Sequence, residues 1–501
     1  MPPHALIAGP ESDVNARVVD ELTSAYAERV AQLLGGPNLV GRSVEIAVWA
    51  VLIVTGRELL AAALTLACRR VMLAATGGRP VQLRFDADYS LSQNTTLGTV
   101  KVPLFAFRED GRTRCPAREQ VFPLHPKCCS SELLVEWEAR VGCQLPFRQA
   151  EEALTFFSHD AVHTEDTTIS RHIGVVGAML ERNWTCRAPE DVATILVTRA
   201  TRDKKSGQPL LYVSTDAHAL RRYVDDTWKA EYKMINGIRL WCIDRRTGQT
   251  VHLGGEYTWG DCRDVAVRVR SLLDLLVPTG DAAPQLVLVT DGMPWIRDHV
   301  YNIMPEGTRM ILDFYHLAER LAKYAAARFG KDTKEGKAWV RKMVARLTGK
   351  RPYKKRVLAK RRGHKKNRRS KRDPFRTVHP CEHPHGAGDD LILTLIEDEP
   401  ASDALDSLMG YVAANLDRID YSTYRAHGMQ IGSGAMESLH RVASQMRLKL
   451  AGARWTAERA LAVLNTRLML LADRWSAFWA RPDLSAALAM AFGSRTAGEA
   501  V

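Results

Sequence analysis

The sequence predicts a multidomain protein of class α/β plus α. A mixed sheet is expected to be interrupted by an all-helical insertion and preceded by an α/β N-terminal region and a small helical domain. Three observations carry this. From residue 208 onward, short β-branched runs alternate with helix-periodic ones. Residues 317–424 then lose the strand pattern and read as largely helical, with a basic centre. Finally, Asp216 and Asp291 each close an apolar run, and Glu437 opens a helix far downstream.

In chain order, residues 1–128 form a helical and strand-rich region. Residues 13–34 and 43–76 look helical, and Val81–Phe85, Gly98–Phe107 and Gln120–Leu124 read as strands. Arg108–Arg112, with Asp110-Gly111 inside it, supplies a turn. Ile46–Gly56 is strongly apolar but is followed by Arg57 and Glu58; it is too short to span a bilayer and is expected to be a core helix. Residues 129–198 contain three short helices (131–141, 146–157, 166–182). That order suits a helix-turn-helix-like DNA-binding region with Asp166–Leu180 as the reader, and equally suits three packed helices with no such role. Arg199–Gly207 reads as a linker.

Residues 208–316 are the informative part. Leu210–Thr215 is a strand ending at Asp216. Tyr232–Ile243 and Val251–Tyr257 follow, joined by a turn at Arg245-Arg246-Thr247-Gly248. Arg263–Val277 is helical, and Gln285–Thr290 is a buried strand ending at Asp291. Gly292 and Pro294 break the chain before a helix at Trp295–Met304; Arg309–Phe314 and Leu317–Phe329 add a fifth strand and its helix. Three strands in series, then helix, strand, helix, strand, helix, is the order of an RNase H-like sheet. In it the first and fourth strands are neighbours, which would set Asp216 and Asp291 about one strand spacing apart, ~5 Å. After the 317–424 insertion, residues 425–480 supply an acidic helix, with Met436, Leu439, Val442, Ala443, Met446 and Leu450 as its apolar face, and a second helix at Ala457–Leu471. Residues 481–501 form a tail. Trp455, Trp475 and Trp479 are expected as core anchors.

The chain has 501 residues and a formal net charge of +13. Lys350–Arg372 holds 14 Lys/Arg and no acid, so the remainder is close to neutral. A block of this kind suits a polyanion partner, and Lys354, Lys355, Arg356, Lys360, Arg361, Arg362, Lys365, Lys366, Arg368 and Arg369, with Arg447 and Lys449, are the candidate nucleic-acid contacts. The nine cysteines form no regular framework and no C-x-x-C, which fits a reducing compartment. No basic head precedes an apolar core at the N-terminus, so no secretory leader is expected and a cytoplasmic location is. No membrane partner is expected.

Asp216, Asp291 and Glu437 are the candidate catalytic and metal-binding carboxylates. Hard oxygen ligands suit Mg²⁺ or Mn²⁺, and two such ions could activate a water or 3′-hydroxyl and stabilise a leaving oxygen. Asp313 and His316 close the fifth strand and would stand beside them. His379, Cys381, His383 and His385 fit no usual zinc pattern.

Four stretches carry a resemblance: Val289–Ile296, Ile311–His316, Ile431–Ser438 and Arg447–Trp455, with Arg474-Trp475 and Phe478-Trp479 beyond them. Together they resemble the ISKra-type bacterial insertion-sequence transposases, a DDE group related to the Mutator-like transposases. The resemblance implies an RNase H-like catalytic domain with a helical insertion. It implies Asp216, Asp291 and Glu437 as the triad and Asp313/His316 as a D-x-x-H motif. Relatives often carry a C-x-x-C knuckle; here Cys115 is followed by Arg118 at the second position, which makes a structural zinc doubtful. The expected activity is two-metal-ion DNA cleavage and strand transfer on terminal inverted repeats and target DNA, by a homo-oligomer. A structure-specific nuclease of the same fold and a non-catalytic DNA-binding protein are the alternatives.

Overall fold

The computed structural model describes residues 11–36, 41–84, 89–124, 128–224, 229–280, 283–349 and 386–495. The basic run 350–372, with the ten candidate DNA contacts it contains, lies outside the described residues, as do His379, Cys381, His383 and His385. The chain divides into two compact units: Met1–Glu181 with Glu458–Arg467 and Trp475–Val501, and Arg182–Ala457 with Leu468–Arg474.

The first unit begins with helices α1 (Glu11–Leu34) and α2 (Arg42–Thr76). They are tied by Arg29, which donates to Thr55 and pairs with Glu58 at 2.5 Å. The expectation of a core helix at Ile46–Gly56 is not met. Ile46, Val48, Trp49, Leu52 and Leu59 are exposed, and the helix is far longer than the run that looked too short. By length and composition α2 could cross a membrane: an 18-residue window has mean hydropathy 1.8 and none of it is buried.

Five short strands follow: β1 (Leu83–Arg84), β2 (Ser90–Thr95), β3 (Gly98–Pro103), β4 (Ala106–Glu109) and β5 (Arg112–Arg114). β2 pairs with β3, and β1, β4 and β5 form a second small sheet. Asp110 and Gly111 turn the β4–β5 hairpin with positive φ, as the sequence suggests. The strand expected at Gln120–Leu124 is absent; α3 (Ala117–Gln120) ends there. Then come α4 (Glu132–Gly142), α5 (Phe147–Phe157) and α6 (Asp166–Met179), packed around Leu134, Ala150, Leu154, Val162 and Ile169. Half the length of α6 is buried, including the continuous run His172–Gly177, and a Cβ on Gly177 would meet the Ala462 backbone at 2.2 Å. Thr167, Arg171 and Ala178 alone are fully exposed, a face with one basic side chain.

The second unit begins with α7 (Arg182–Thr185) and α8 (Pro189–Thr198). A five-stranded sheet follows, made of β6 (Leu210–Tyr223), β7 (Ala230–Ile243), β8 (Thr250–Thr258), β9 (Gln285–Thr290) and β10 (Arg309–Leu312), with α9 (Cys262–Leu276) between β8 and β9. Strand order is β10-β9-β6-β7-β8; β6 runs parallel to β9 and antiparallel to β7. The first and fourth strands are neighbours, as the element order predicts. Alternation puts opposite side chains on opposite faces. Leu210, Tyr212, Val287 and Val289 face the helical insertion; Leu211, Val213, Leu286 and Leu288 face α8 and α9.

The described part of the insertion is helical, as expected. It comprises α10 (Phe314–Phe329), α11 (Lys334–Leu347), α12 (Ala387–Asp398), α13 (Asp403–Ala413) and α14 (Tyr421–Ala426). Leu317, Leu321, Trp339, Met343, Leu391, Leu408 and Tyr421 cover one sheet face in a single core with the strands. The acidic segment follows as α15 (Gly434–Leu439), a π turn at His440–Gln445 and α16 (Met446–Leu448). α17 (Ala457–Leu471), α18 (Trp475–Trp479) and α19 (Leu484–Arg495) complete the chain. Trp455 is buried as an anchor, whereas Trp475 and Trp479 are only half-buried.

Candidate functional site

β9 delivers the first carboxylate. Its six residues end at Thr290, and Asp291 follows with its Oδ1 accepting from the Met293 amide at 3.0 Å. The chain must turn sharply there, and Gly292 has φ +86°. A Cβ at that position would meet Leu312 Cδ1 at 2.6 Å, so glycine is required twice over. Tyr411 from α13 donates to the Asp291 carbonyl at 3.3 Å, tying the insertion to this turn.

β6 delivers the second. The strand does not stop at Asp216 as expected but runs on to Tyr223, so Asp216 sits inside it, opposite Gly237 of β7. The parallel register pairs Leu210 with Gln285 and Val213 with Leu288, and Ser214 Oγ donates to the Val289 carbonyl at 2.6 Å. The pairing ends at Val213–Leu288; the same offset carried three residues on would bring Asp216 level with Asp291. The two carboxylates feel each other. Burial, and then the Asp216 charge, push the Asp291 carboxyl above its usual range. Asp216 goes the other way: burial alone would raise it, but His440 holds it below the usual range.

Asp313 is fully buried and caps α10, with Oδ1 accepting from the Tyr315 amide at 2.7 Å. Its Oδ2 accepts from the Ser433 amide at 3.1 Å and from the Ser433 hydroxyl, and lies 3.3 Å from His316 Nδ1. These partners outweigh burial and hold the Asp313 carboxyl low; Asp313, and then Asp291, raise the His316 imidazole. Asp216, Asp291, Asp313 and His316 therefore share one electrostatic neighbourhood.

Glu437 is exposed on α15. Among the described residues no group of three or more His, Cys, Asp or Glu is gathered to hold a metal ion, around the aspartates or around Glu437. What the structure does hold in place is the helix that carries it. Ser433 is bound to Asp313, the buried Arg239 of β7 donates to the Ala435 carbonyl, and His440, one turn beyond Glu437, reaches Asp216 Oδ2 at 3.5 Å. Tyr257 OH and His440 Nδ1 are 3.2 Å apart, and His218 Nε2 meets Ser444 Oγ at 2.8 Å. Gly237 makes the close approach possible: a Cβ there would lie 2.6 Å from Met436, 2.7 Å from His440 and 2.9 Å from Tyr257.

The expected apolar face of this helix is thus wrong in part. Met436, Leu439 and Ala443 are buried, but Val442, Met446 and Leu450 are exposed, and His440, Ser444 and Arg447 take the inward positions. Arg447, expected as a nucleic-acid contact, is buried, with its guanidinium 5.0 Å from the Trp455 ring centroid. Lys449 is exposed. His440, Tyr257, Gly237 and Arg239 are site residues that sequence reasoning passed over. The usable signal was His440, a polar residue at helical spacing from Met436 (i+4) and Glu437 (i+3).

No protein-family model and no curated protein matches the chain. Among solved structures, the chain is similar to the Drosophila P element transposase strand transfer complex. The likeness has a TM-score of 0.33 and 9% identity, over 71% of this chain and 93% of that one. It is too slight to bear on fold or function.

Proposed function

We propose that the protein is a DNA transposase of the ISKra insertion-sequence type, which cleaves and joins DNA at Asp216 and Asp291. The observation that supports the reading most is that β6 and β9 pair in parallel in a register that, carried three residues on, brings Asp216 and Asp291 to matching positions. One carboxyl is pushed upward in part by the charge of the other. Such a pair costs electrostatic energy that a divalent cation relieves, and oxygen donors of this kind suit Mg²⁺ or Mn²⁺. Bound there, a cation would supply Lewis-acid stabilisation of a phosphodiester under attack. A second ion would need Glu437 as well, carried on a helix that is seated through Ser433, Ala435 and His440.

The chain's own groups have separable roles. Asp216 and Asp291 would bind the cation, Glu437 would complete the acidic set on a substrate-bound helix, and His316 beside Asp313 and Asp291 would orient phosphate oxygens. Lys350–Arg372 would grip the backbone of the terminal inverted repeats and target DNA, and synapsis of two ends would require a homo-oligomer. The test is Mg²⁺-dependent nicking and strand transfer on the flanking inverted-repeat DNA, with Asp291→Asn as the inactive control. Equal nicking by wild type and variant overturns the reading. A second reading, a non-catalytic DNA-binding protein, is favoured by the lack of a gathered metal-holding group among the described residues; it expects no nicking by the wild type and undiminished DNA affinity in Asp291→Asn.

A further inference from the structure

Two turns at one end of the second unit's sheet share a sequence pattern and a geometry. They are Asp203-Lys204-Lys205-Ser206-Gly207-Gln208 and Asp244-Arg245-Arg246-Thr247-Gly248-Gln249. The first belongs to the segment expected as a linker; it is instead a hairpin that enters β6. In the first turn, Asp203 Oδ1 accepts from the Lys205 and Ser206 amides at 2.7 and 3.0 Å. In the second, Asp244 Oδ1 accepts from the Arg246 and Thr247 amides at 2.8 and 3.1 Å. Each glycine amide returns to its Asp carbonyl at 2.8 Å, with φ +77° at Gly207 and +71° at Gly248. The turns are side by side: the Thr201 amide donates to Ile243, and the Arg245 amide to Arg199, both at 2.8 Å.

The shared geometry buries the acids and exposes the bases. Asp203 and Asp244 are buried, and their second oxygens are occupied by His427 Nδ1 and Arg199 Nη2, each at 2.8 Å. Lys204, Lys205, Arg245 and Arg246 all project into solvent. Two neighbouring turns therefore expose two cations each, while the carboxylates within them are spent on folding the turns. This edge lies where β6 begins, and Asp216 is six residues further along the strand from Leu210, roughly 20 Å at ~3.3 Å per residue.

We propose that this twin-turn edge binds the phosphate backbone of duplex DNA without reading its sequence. The proposal rests on the DNA reading above and assigns that partner a surface separate from the carboxylates. Two basic tips whose stems are hydrogen-bonded to one another can both face one duplex, and each phosphate contact releases counterions.

The experiment is fluorescence-anisotropy binding of the full-length protein to duplex DNA across a salt series. The quadruple variant Lys204→Gln/Lys205→Gln/Arg245→Gln/Arg246→Gln should flatten the log–log salt slope by about three to four units, at ~0.9 per contact. The charge-keeping variant Lys204→Arg/Lys205→Arg/Arg245→Lys/Arg246→Lys should restore the wild-type slope. An unchanged slope in the first variant overturns the proposal. So does an equal loss in the charge-keeping variant, which would show a folding effect, or a loss confined to single-stranded RNA or heparin. Mg²⁺-dependent nicking of the same duplex, with Asp291→Asn as control, reports separately on the carboxylate site. Wild-type nicking together with an unflattened slope would sink this edge alone.

Discussion

Each unit contains a buried histidine set against a carboxylate, and the two pairs differ in one respect. In the first unit, His172 and Glu138 are both 0% exposed; Cys128 Sγ lies 3.4 Å from the other ring nitrogen and Phe492 covers the ring edge-on at 5.3 Å. In the second, His440 is 3% exposed but its partner Asp216 is 40% exposed. A sealed pair can only hold the fold together. A pair with one end open presents a carboxylate to whatever arrives, while the buried end fixes its position. The same chemistry thus separates a structural contact from a site by exposure of one partner.

This contrast can be broken by substitution. Asp291→Asn should lower cleavage by about a thousandfold, roughly 4 kcal/mol of transition-state stabilisation. It should leave the melting temperature unchanged or slightly higher, since a carboxyl whose pKa is raised in the fold costs stability when ionised. A comparable fall in melting temperature would make Asp291 structural. His172→Gln should cost roughly 3–5 kcal/mol, because it leaves Glu138 buried and unpaired, with no specific effect on cleavage by the surviving folded protein.

His172 also makes a pH prediction. Burial alone would lower its pKa, but the Cys128 and Glu138 contacts outweigh that and raise it to about 9. A raised folded pKa gives stabilisation that is complete below the free histidine value of ~6.5 and is lost as pH climbs toward 9. Thermal melts from pH 6 to 9.5 should decline in the wild type and lose that component in His172→Gln; parallel curves would show that the pair carries no charge.

Smaller effects are expected at the open pair. Gly237→Ala should cost roughly 1–3 kcal/mol by crowding Met436, His440 and Tyr257, seen as a lower denaturation midpoint, and should slow cleavage beyond that. His440→Gln should reduce kcat about tenfold, near 1.4 kcal/mol, while KM for DNA stays within twofold. A change in KM with kcat intact would place His440 in DNA binding and not in positioning Asp216.

The parts of the fold legible in the sequence were those where periodicity and burial agree. Gln285–Thr290 and Ala457–Leu471 have the expected bounds because their patterns are unambiguous. β6 was cut short because Asp216, His218 and Arg221 looked like an ending, whereas they lie in a strand that continues along β7. β2, Ser90–Thr95, was missed for its polar composition; Leu91, Gln93 and Thr95 are nevertheless buried. The inward places of His440 and Ser444 depend on Tyr257 and His218 from distant segments, and that of Arg447 on Trp455 just beyond the helix. No local pattern records such partners, and departures from local rules of this kind gather where a site is built. α2 erred in the reverse direction: its apolar sequence implied burial that the described fold does not give it.

The missing side chain at Gly237 also binds three remote positions into one inheritance. A lineage that gains a methyl group there must shrink or move Met436 and His440, and with them the tether on Asp216. Drift at 237, 436 and 440 should therefore be correlated across descendants of this gene, and a copy with alanine at 237 beside an intact histidine at 440 should mark one in which the tether on Asp216 is already lost.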